Sequence, residues 1–283
     1  MLKKLLKYEF KSVSKILTPL LLGTLALAVI TAVLFTINYR VLDTGDTDSY
    51  LNNIFTLAMT TFLVFSIIAI VASIFVMFVI LLNRYYKNFF GDEGYLTFTL
   101  PAQTKSHLFT KLTSGVVWTI LSGVVVIVSG FLLAIFGTAS NGEIINSEIY
   151  DELCYGFEII SDYLGSKNLM IYIIEFILFI LIITSYQLLV FYLAITIGSI
   201  ITKKHKVLAS IGVYLGISSV SGMIMNIMIY IIFSADDLKM NDMEALFTTS
   251  HFNIFAILVL YTAMAAVAFI INNTLLHKKL NLE

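Results

Sequence analysis

The sequence predicts an all-α polytopic membrane protein with six transmembrane helices, both termini in the cytoplasm and an N-terminal amphipathic interfacial helix. Composition, the length of the apolar runs and the sorting of charges carry this prediction. Of the 283 residues, 59% are hydrophobic and only 12% are charged, whereas a typical soluble domain has about 25% charged residues. Because so few charges cannot cover a water-facing surface, the composition excludes a soluble enzyme, a disordered chain and a nucleic-acid-binding protein with a basic face.

Six runs of the sequence are long enough to cross a membrane. A spanning helix needs about 20 mostly apolar residues, and these runs are continuous rather than alternating, which favours helices over the strands of a β-barrel. They cover residues 17–37, 54–82, 112–136, 169–201, 207–233 and 254–271. We therefore expect one six-helix transmembrane domain over residues 1–283.

The charged residues are few but sorted between the two sides of the predicted membrane. Fourteen of the 17 Lys and Arg residues fall on the side of the termini, and only Arg40, Lys167 and Lys239 fall on the other. Basic loops face the cytoplasm, so both termini are expected there. Thirteen of the 18 Asp and Glu residues take the opposite side, and the net charge of -1 therefore conceals a strong charge separation.

Residues 1–16, which precede the first span, carry a helical pattern. Leu2, Leu6, Phe10 and Val13 recur every three or four residues, and lysines occupy the opposite stripe. This pattern predicts a basic amphipathic helix in the cytoplasmic interface. The alternative is a basic flank that simply continues the first span.

The predicted loops differ in character between the two sides. The largest cytoplasmic loop, residues 83–111, carries apolar side chains that need cover from the membrane surface, from the protein's own helices or from a partner. The external loops cover residues 137–168 and 234–253. Helical spacing after Ser147 predicts a short amphipathic external helix, which is either a cap on the spans or a substrate contact, and a further helical turn is predicted at 240–247.

Catalytic motifs are absent from the sequence. No paired histidines with zinc-ligand spacing and no phosphate-binding Gly-x-x-x-x-Gly-Lys loop occur, so we expect no enzyme activity, no metal and no cofactor bound by this chain. Glu175, Gln187 and Asn226 are polar residues within predicted spans and form a candidate substrate path. The alternative for each is hydrogen bonding between helices. Gly212 and Gly216 have the spacing of a close helix contact, and a flexible break near Gly222 is the other interpretation.

The motifs resemble a known family. The N-terminal Leu5-Leu-Lys-Tyr-Glu-Phe-Lys11, the six spans and the loop Gly91-Asp-Glu-Gly-Tyr-Leu-Thr-Phe-Thr-Leu-Pro101 are similar to permease subunits of type-2 ATP-binding cassette exporters, in particular to small permeases of Firmicutes. In that family the loop reads Glu-x-Gly-x-Leu and ends at a proline, with a lysine further on. One departure is that the larger external segment here follows span three, whereas the family's re-entrant helices follow span five.

The resemblance implies a role for each cytoplasmic segment and for several partners. Residues 1–16 would be a connecting helix, and residues 88–101 a coupling helix that docks on a separate cytoplasmic ATPase, which hydrolyses the ATP. The coupling residues implied are Asp92, Glu93, Tyr95, Leu96, Phe98 and Pro101. A second permease subunit, identical or not, would pair through the first and fifth spans. Membrane lipids would surround the spans, and no nucleic acid is expected as a partner.

The resemblance also implies a function and a location. The chain would export an amphipathic peptide or a lipid-like compound across the plasma membrane of a Gram-positive bacterium. An alternative function, from the charge separation, is a non-transporting immunity or sensor subunit that binds a cationic antimicrobial peptide at its acidic outer face.

Overall fold

Each of the six predicted spans lies within one long α-helix of the computed structural model. The structure describes residues 2–43, 49–91, 94, 103–138, 147–202, 204–234 and 243–278. Its helices are α1 (Leu2–Asp43), α2 (Ser49–Phe90), α3 (Thr104–Thr138), α4 (Ser147–Ile201), α5 (Lys206–Ser234) and α6 (Met243–Lys278). All six are long and apolar enough to cross a membrane, and no strand occurs in these ranges. The prediction of an all-α polytopic membrane protein is confirmed.

The helices extend well beyond the predicted spans on the side of the termini. Residues 2–16 are helical, but they continue into the first span as one helix, through Pro19. Proline removes one backbone donor and disturbs the turn before it, yet the apolar run on both sides continues the helix. The predicted loop 83–111 is also too long, because α2 continues to Phe90 and α3 begins at Thr104.

The prediction of a separate external helix after Ser147 is wrong. Helix α4 runs without interruption for 55 residues, from Ser147 to Ile201. Gly156 and Gly165 do not break it, because a glycine in a helix costs only about 1 kcal/mol relative to alanine. Residues 243–247 of the predicted helical turn at 240–247 likewise belong to a longer element, since α6 begins at Met243, and residues 240–242 lie outside the described residues.

The chain divides into two compact units. The first comprises Met1–Lys7, Leu82–Val116 and Ser166–Glu283, and the second comprises Tyr8–Leu81 and Val117–Gly165. In the second unit, an apolar core of α1, α2 and α3 residues is formed by Val13, Leu17, Leu21, Met77, Leu81 and Trp118. The Thr31 and Ser66 hydroxyls form a hydrogen bond further along α1 and α2. Early α1 residues thus meet late α2 residues, so the two helices are antiparallel.

Helices α4 and α6 run parallel in the first unit, with a constant register. His251 contacts Glu175 and Asn272 contacts Thr196, and both pairs have a sequence separation of 76. Helix α5 runs antiparallel to α4, because Tyr214 bonds to Gln187 while Ser210 lies against Gly198 near the end of α4. Such alternating directions are those of successive membrane crossings.

Candidate functional site

Four deeply buried polar residues of the first unit form one cluster near the ends of α2, α4 and α6. It consists of Tyr85 on α2, Tyr192 and Thr196 on α4, and Asn272 on α6, and we call it the buried tyrosine centre. No more than 1% of the surface of any of these residues is exposed. Polar groups so deeply buried in apolar helices need hydrogen-bond partners, because leaving them unpaired is costly.

Four short polar contacts hold the buried tyrosine centre together. Tyr85 Oη lies 2.9 Å from Thr196 Oγ1 and 3.2 Å from Asn272 Oδ1. Thr196 Oγ1 lies 2.8 Å from Asn272 Oδ1 and 2.8 Å from the carbonyl oxygen of Tyr192. The Tyr85 and Thr196 hydroxyl groups each contact residues of the other two helices, so α2, α4 and α6 meet at this point.

Aromatic packing encloses this polar core and extends it to α3. The Tyr85 ring stacks on Tyr192 with centroids 4.1 Å apart and planes 6° apart, and Phe89 lies 4.9 Å from Tyr85. Tyr192 Oη donates to the carbonyl oxygen of Lys111 on α3, at 3.4 Å. A Cβ added to Gly115 would come within 3.0 Å of Tyr192 Oη, so a glycine permits this close approach. The centre therefore joins α2, α3, α4 and α6.

This cluster occupies the basic end of the first unit. Tyr85, Thr196 and Asn272 lie within about two helical turns of the ends of their helices, and α3 and α5 begin nearby. The basic residues of these flanks are Arg84, Lys87, Lys105, Lys111, Lys204 and Lys206. The Lys206 ammonium lies 5.9 Å from the ring centre of Tyr86, a cation–π distance. The segment between α2 and α3 leaves from this end.

A second polar cluster joins α4 and α6 at the other end of the same unit. The Glu175 carboxylate oxygens lie 3.1 and 3.0 Å from His251 Nδ1. The Tyr172 ring stacks on His251 at 4.0 Å, and its hydroxyl forms a hydrogen bond with Ser250. The side chains of His251 and Glu175 are only 22% and 17% exposed. Glu175, the acid inside the span, is thus paired with the imidazole of His251 on α6. The sequence-based assignment of residue 251 to a loop concealed this pairing.

Glu175, Gln187 and Asn226 form hydrogen bonds with different partners. Gln187 Nε2 donates to Tyr214 Oη on α5 at 2.9 Å, and Asn226 donates to the carbonyl oxygen of Gly222 in its own helix. Glu175 and Gln187 are twelve residues apart on α4, about 18 Å along its axis. Two of the three therefore tie helices together, which was the alternative interpretation.

The six implied coupling residues, Asp92, Glu93, Tyr95, Leu96, Phe98 and Pro101, lie outside the residues that the structure describes. Their flank is described. Helix α2 closes at Gly91, whose amide donates to the carbonyl oxygen of Lys87 at 3.2 Å, and Gly94 donates to Gly91 at 2.9 Å. An added Cβ at Gly91 would lie 2.9 Å from Lys87 O, so a larger residue there would require the end of α2 to shift.

No close contact within the described part of this chain occurs at Gly212 or Gly216, and a contact with a second subunit stays a prediction. A Cβ added at Gly212, Gly216 or Gly222 would meet no atom within 4 Å. Gly216 instead borders a cavity of about 570 Å³ between α4, α5 and α6. Its lining is almost wholly apolar and includes Leu193, Ile217 and Val267. The close approach of α4 to α5 occurs at Gly198, opposite Ser210.

Sequence reasoning missed Tyr85, Thr196, Asn272 and His251 as functional candidates. Tyr85 and His251 fell in predicted loops, and Asn272 came one residue after the predicted end of span six. A longer estimate of each helix would have placed all of them on helices, since helix ends extend past the hydrocarbon core. Thr196 carries no special signal, because a lone threonine in an apolar helix most often bonds to its own backbone.

Within the described residues, no three His, Cys, Asp or Glu side chains are grouped so that they can hold a metal ion. Comparisons with protein-family models, with curated proteins and with solved structures each give no match for the chain. The residues of the chain itself are therefore the basis of the functional proposal.

Proposed function

We propose that the chain is the transmembrane permease subunit of an ATP-binding cassette exporter. A separate cytoplasmic subunit hydrolyses the ATP, and a second permease subunit completes the transport path. The chain itself catalyses no reaction and binds no cofactor. The cargo is an amphipathic peptide or a lipid-like compound, and the setting is the plasma membrane of a Gram-positive bacterium.

The observation that carries the proposal is that the helix ends on either side of the segment between α2 and α3 are buried. Phe89, one residue before the end of α2, and Leu108, in the second turn of α3, are both 0% exposed. Tyr85 and Lys111, further from the segment, contact α4. A force applied to residues 91–103 therefore acts on helix ends that are packed rather than frayed. A coupling segment needs packed helix ends of this kind, because they transmit its movement to the spans.

The charge distribution supports the orientation that the proposal requires. The segment between α2 and α3 leaves from the end of the first unit that carries Arg84, Lys87, Lys105 and Lys206. Basic flanks of this kind face the cytoplasm. In that orientation the ends of α2 and α3 that flank the implied coupling residues face the side on which ATP is available.

The proposed mechanism follows from this placement. ATP binding closes the ATPase subunits on each other, and the coupling segment moves with them. Packed helix ends transmit the displacement to the spans, so that each permease subunit rocks against the other, as in many transporters. The apolar cavity between α4, α5 and α6 suits a hydrocarbon group better than a polar cargo, because its lining offers few hydrogen-bonding groups.

Copurification with the ATPase tests the coupling assignment. We expect a triple change of Tyr95→Ala, Leu96→Ala and Phe98→Ser to reduce copurification by about tenfold or more, because truncating buried aromatic anchors of an interface typically costs 2 kcal/mol or more. A candidate ATP-binding cassette ATPase would be co-expressed with the tagged chain and pulled down with it. Tyr155→Ala is the control, since Tyr155 is 66% exposed on α4 and belongs to the predicted external side. Unaltered copurification of the triple variant would refute the coupling assignment.

The second candidate is a non-transporting immunity or sensor subunit. The excess of acidic residues in the predicted external loops favours it, since they attract a cationic peptide. This function needs no ATP hydrolysis, and the two candidates therefore differ in whether a catalytically inactive ATPase abolishes activity.

A further inference from the structure

The cavity between α4, α5 and α6 opens sideways, toward the surroundings of the spans. Its inner wall is formed by buried residues of α4 and α6, among them Val190, Leu193 and Ala268. The residues at its rim line the cavity and are nevertheless exposed; they are Val220 and Ile224 on α5, and Val267 and Ile271 on α6. The opening therefore lies between α5 and α6, and in a membrane it faces lipid.

The cavity occupies one half of the hydrocarbon depth, the half nearest the buried tyrosine centre. On α4 it extends from Tyr186 to Ile197, which follows Thr196 of that centre, and on α6 it ends at Ile271, which precedes Asn272. The stretch of α4 measures about 16 Å at 1.5 Å per residue, and half of the hydrocarbon core measures about 15 Å. The cavity thus matches the depth of one leaflet, the leaflet at the basic end of the unit.

The width of the cavity limits what can fill it. A volume of about 570 Å³ distributed over that length gives a mean width of about 6–7 Å. A single hydrocarbon chain fits this width, because carbon atoms in contact lie about 4 Å apart. An α-helix measures about 10–12 Å across with its side chains. Neither a helix of a second subunit nor a helical peptide can therefore enter the cavity.

Water is also a poor occupant of this cavity. A buried water molecule needs two to four polar partners, and the only hydroxyl groups of the lining residues are those of Tyr186 and Ser221. The Ser221 hydroxyl already donates to the carbonyl oxygen of Ser218 in its own helix. An apolar space that opens toward lipid is therefore filled by a hydrocarbon chain.

We propose that this cavity receives the hydrocarbon chain of the cargo, and that the cargo is an amphiphile with one such chain. The inference rests on the proposed function and names the class of its cargo. A membrane phospholipid carries two chains side by side, and the cavity has the width of one. In the proposed orientation the leaflet beside the cavity is the cytoplasmic one, which an exported compound leaves.

Helix α5 provides a matched pair of substitutions. A Cβ added at Gly216 would meet no atom within 4 Å, and Gly216 lines the cavity. Gly216→Leu therefore extends a side chain into the cavity without a clash. Gly212 lies one turn earlier and has equally open surroundings, but it is not among the lining residues. Gly212→Leu thus controls for the exchange of glycine for leucine on this helix.

The test measures photolabelling of the full chain in lipid nanodiscs, without an ATPase. The probe is a lysophosphatidylcholine with a diazirine near the end of its one acyl chain, and the comparison probe is a phosphatidylcholine with the same group in one of its two chains. Labelled residues would be identified by mass spectrometry. We expect the single-chain probe to label the lining residues more than the two-chain probe does. We expect this labelling to be about fivefold lower or less in Gly216→Leu than in the parent and in Gly212→Leu, because the added side chain overfills the cavity.

The outcomes separate this inference from the proposed function. Equal labelling by the two probes, or equal labelling of Gly216→Leu and Gly212→Leu, overturns the inference. If Gly216→Leu does not fold, Ser221→Leu on the same wall decides. With the ATPase bound, added ATP is expected to lower the labelling, and labelling that ATP leaves unchanged overturns the cargo role. ATP-dependent transport without labelling of the cavity overturns this inference alone, whereas a chain that takes up the probe but binds no ATPase overturns the proposed function.

Discussion

At the residue scale, hydroxyl and amide groups set the specificity of an otherwise apolar interior. Leu, Ile and Val side chains pack on lipid as readily as on one another, so apolar contacts alone do not fix which helices associate in a membrane. Thr196 and Asn272 join α4 to α6 at one register only, and Thr31 with Ser66 joins α1 to α2. These few polar contacts therefore select the helix pairs that the hydrophobic pattern leaves undetermined.

Thr196→Val tests the strength of one such contact. The change keeps the side-chain shape and removes the hydroxyl that contacts Tyr85 and Asn272. We expect the free energy of unfolding to fall by about 1 kcal/mol, within the range for interhelical hydrogen bonds in membranes. Unfolding of the purified protein in mixed micelles by added SDS measures it.

Thr262→Val on α6 is the matched control for that change. Its hydroxyl donates only to the carbonyl of Leu258 in its own helix, at 2.7 Å, so its loss is expected to change the unfolding free energy by a few tenths of a kcal/mol at most. Equal effects of the two changes would contradict a special role for the Thr196 hydroxyl.

At the scale of elements, the parallel pair of α4 and α6 has a polar contact at each end. Residues 175 and 196 on α4 are 21 residues apart, and so are residues 251 and 272 on α6. That separation is about 31 Å along a helix, close to the roughly 30 Å of the hydrocarbon core. The two polar contacts therefore sit near opposite boundaries of the membrane, where polar side chains cost least, and most of the residues between them are apolar.

Cysteine cross-linking tests this parallel register. In a Cys154→Ser background we expect disulfide formation on mild oxidation for Glu175→Cys with His251→Cys and for Thr196→Cys with Asn272→Cys, since these pairs are in side-chain contact. Glu175→Cys with Asn272→Cys joins opposite ends of the pair and serves as the control. Cross-linking of this third pair alone would require antiparallel helices and contradict the register.

At the scale of the whole molecule, the sequence was sufficient for the class and the six spans but not for the site. Hydropathy depends on runs of about 20 residues, and the prediction of each span is therefore robust to the exact ends of its helix. The buried tyrosine centre depends on which helix faces which, and Tyr85 and Asn272 are close to each other only after α2 and α6 are placed. The helix ends were predicted too short because charged residues near a membrane boundary were assigned to loops, although a helix continues through them.

The predicted external helix failed for a related physical reason. Its apolar spacing was recognised, but the helix continues through Gly156 and Gly165, since a glycine within a helix costs only about 1 kcal/mol relative to alanine. Glu175 was recognised as significant because an acid inside a span is expensive. Its partner His251 was not, since only the fold brings residues with a sequence separation of 76 together.

We propose that this chain moves a cargo with ATP hydrolysed by another subunit. The most direct measurement is the accumulation of a fluorescent cationic amphipathic peptide in inside-out membrane vesicles that contain the chain and its ATPase. We predict accumulation that needs ATP and the chain, and that is lost when the catalytic glutamate of the ATPase is replaced. Protection of cells against the same peptide that persists with the inactive ATPase, together with no ATP-dependent accumulation, would contradict the account and support a binding role instead.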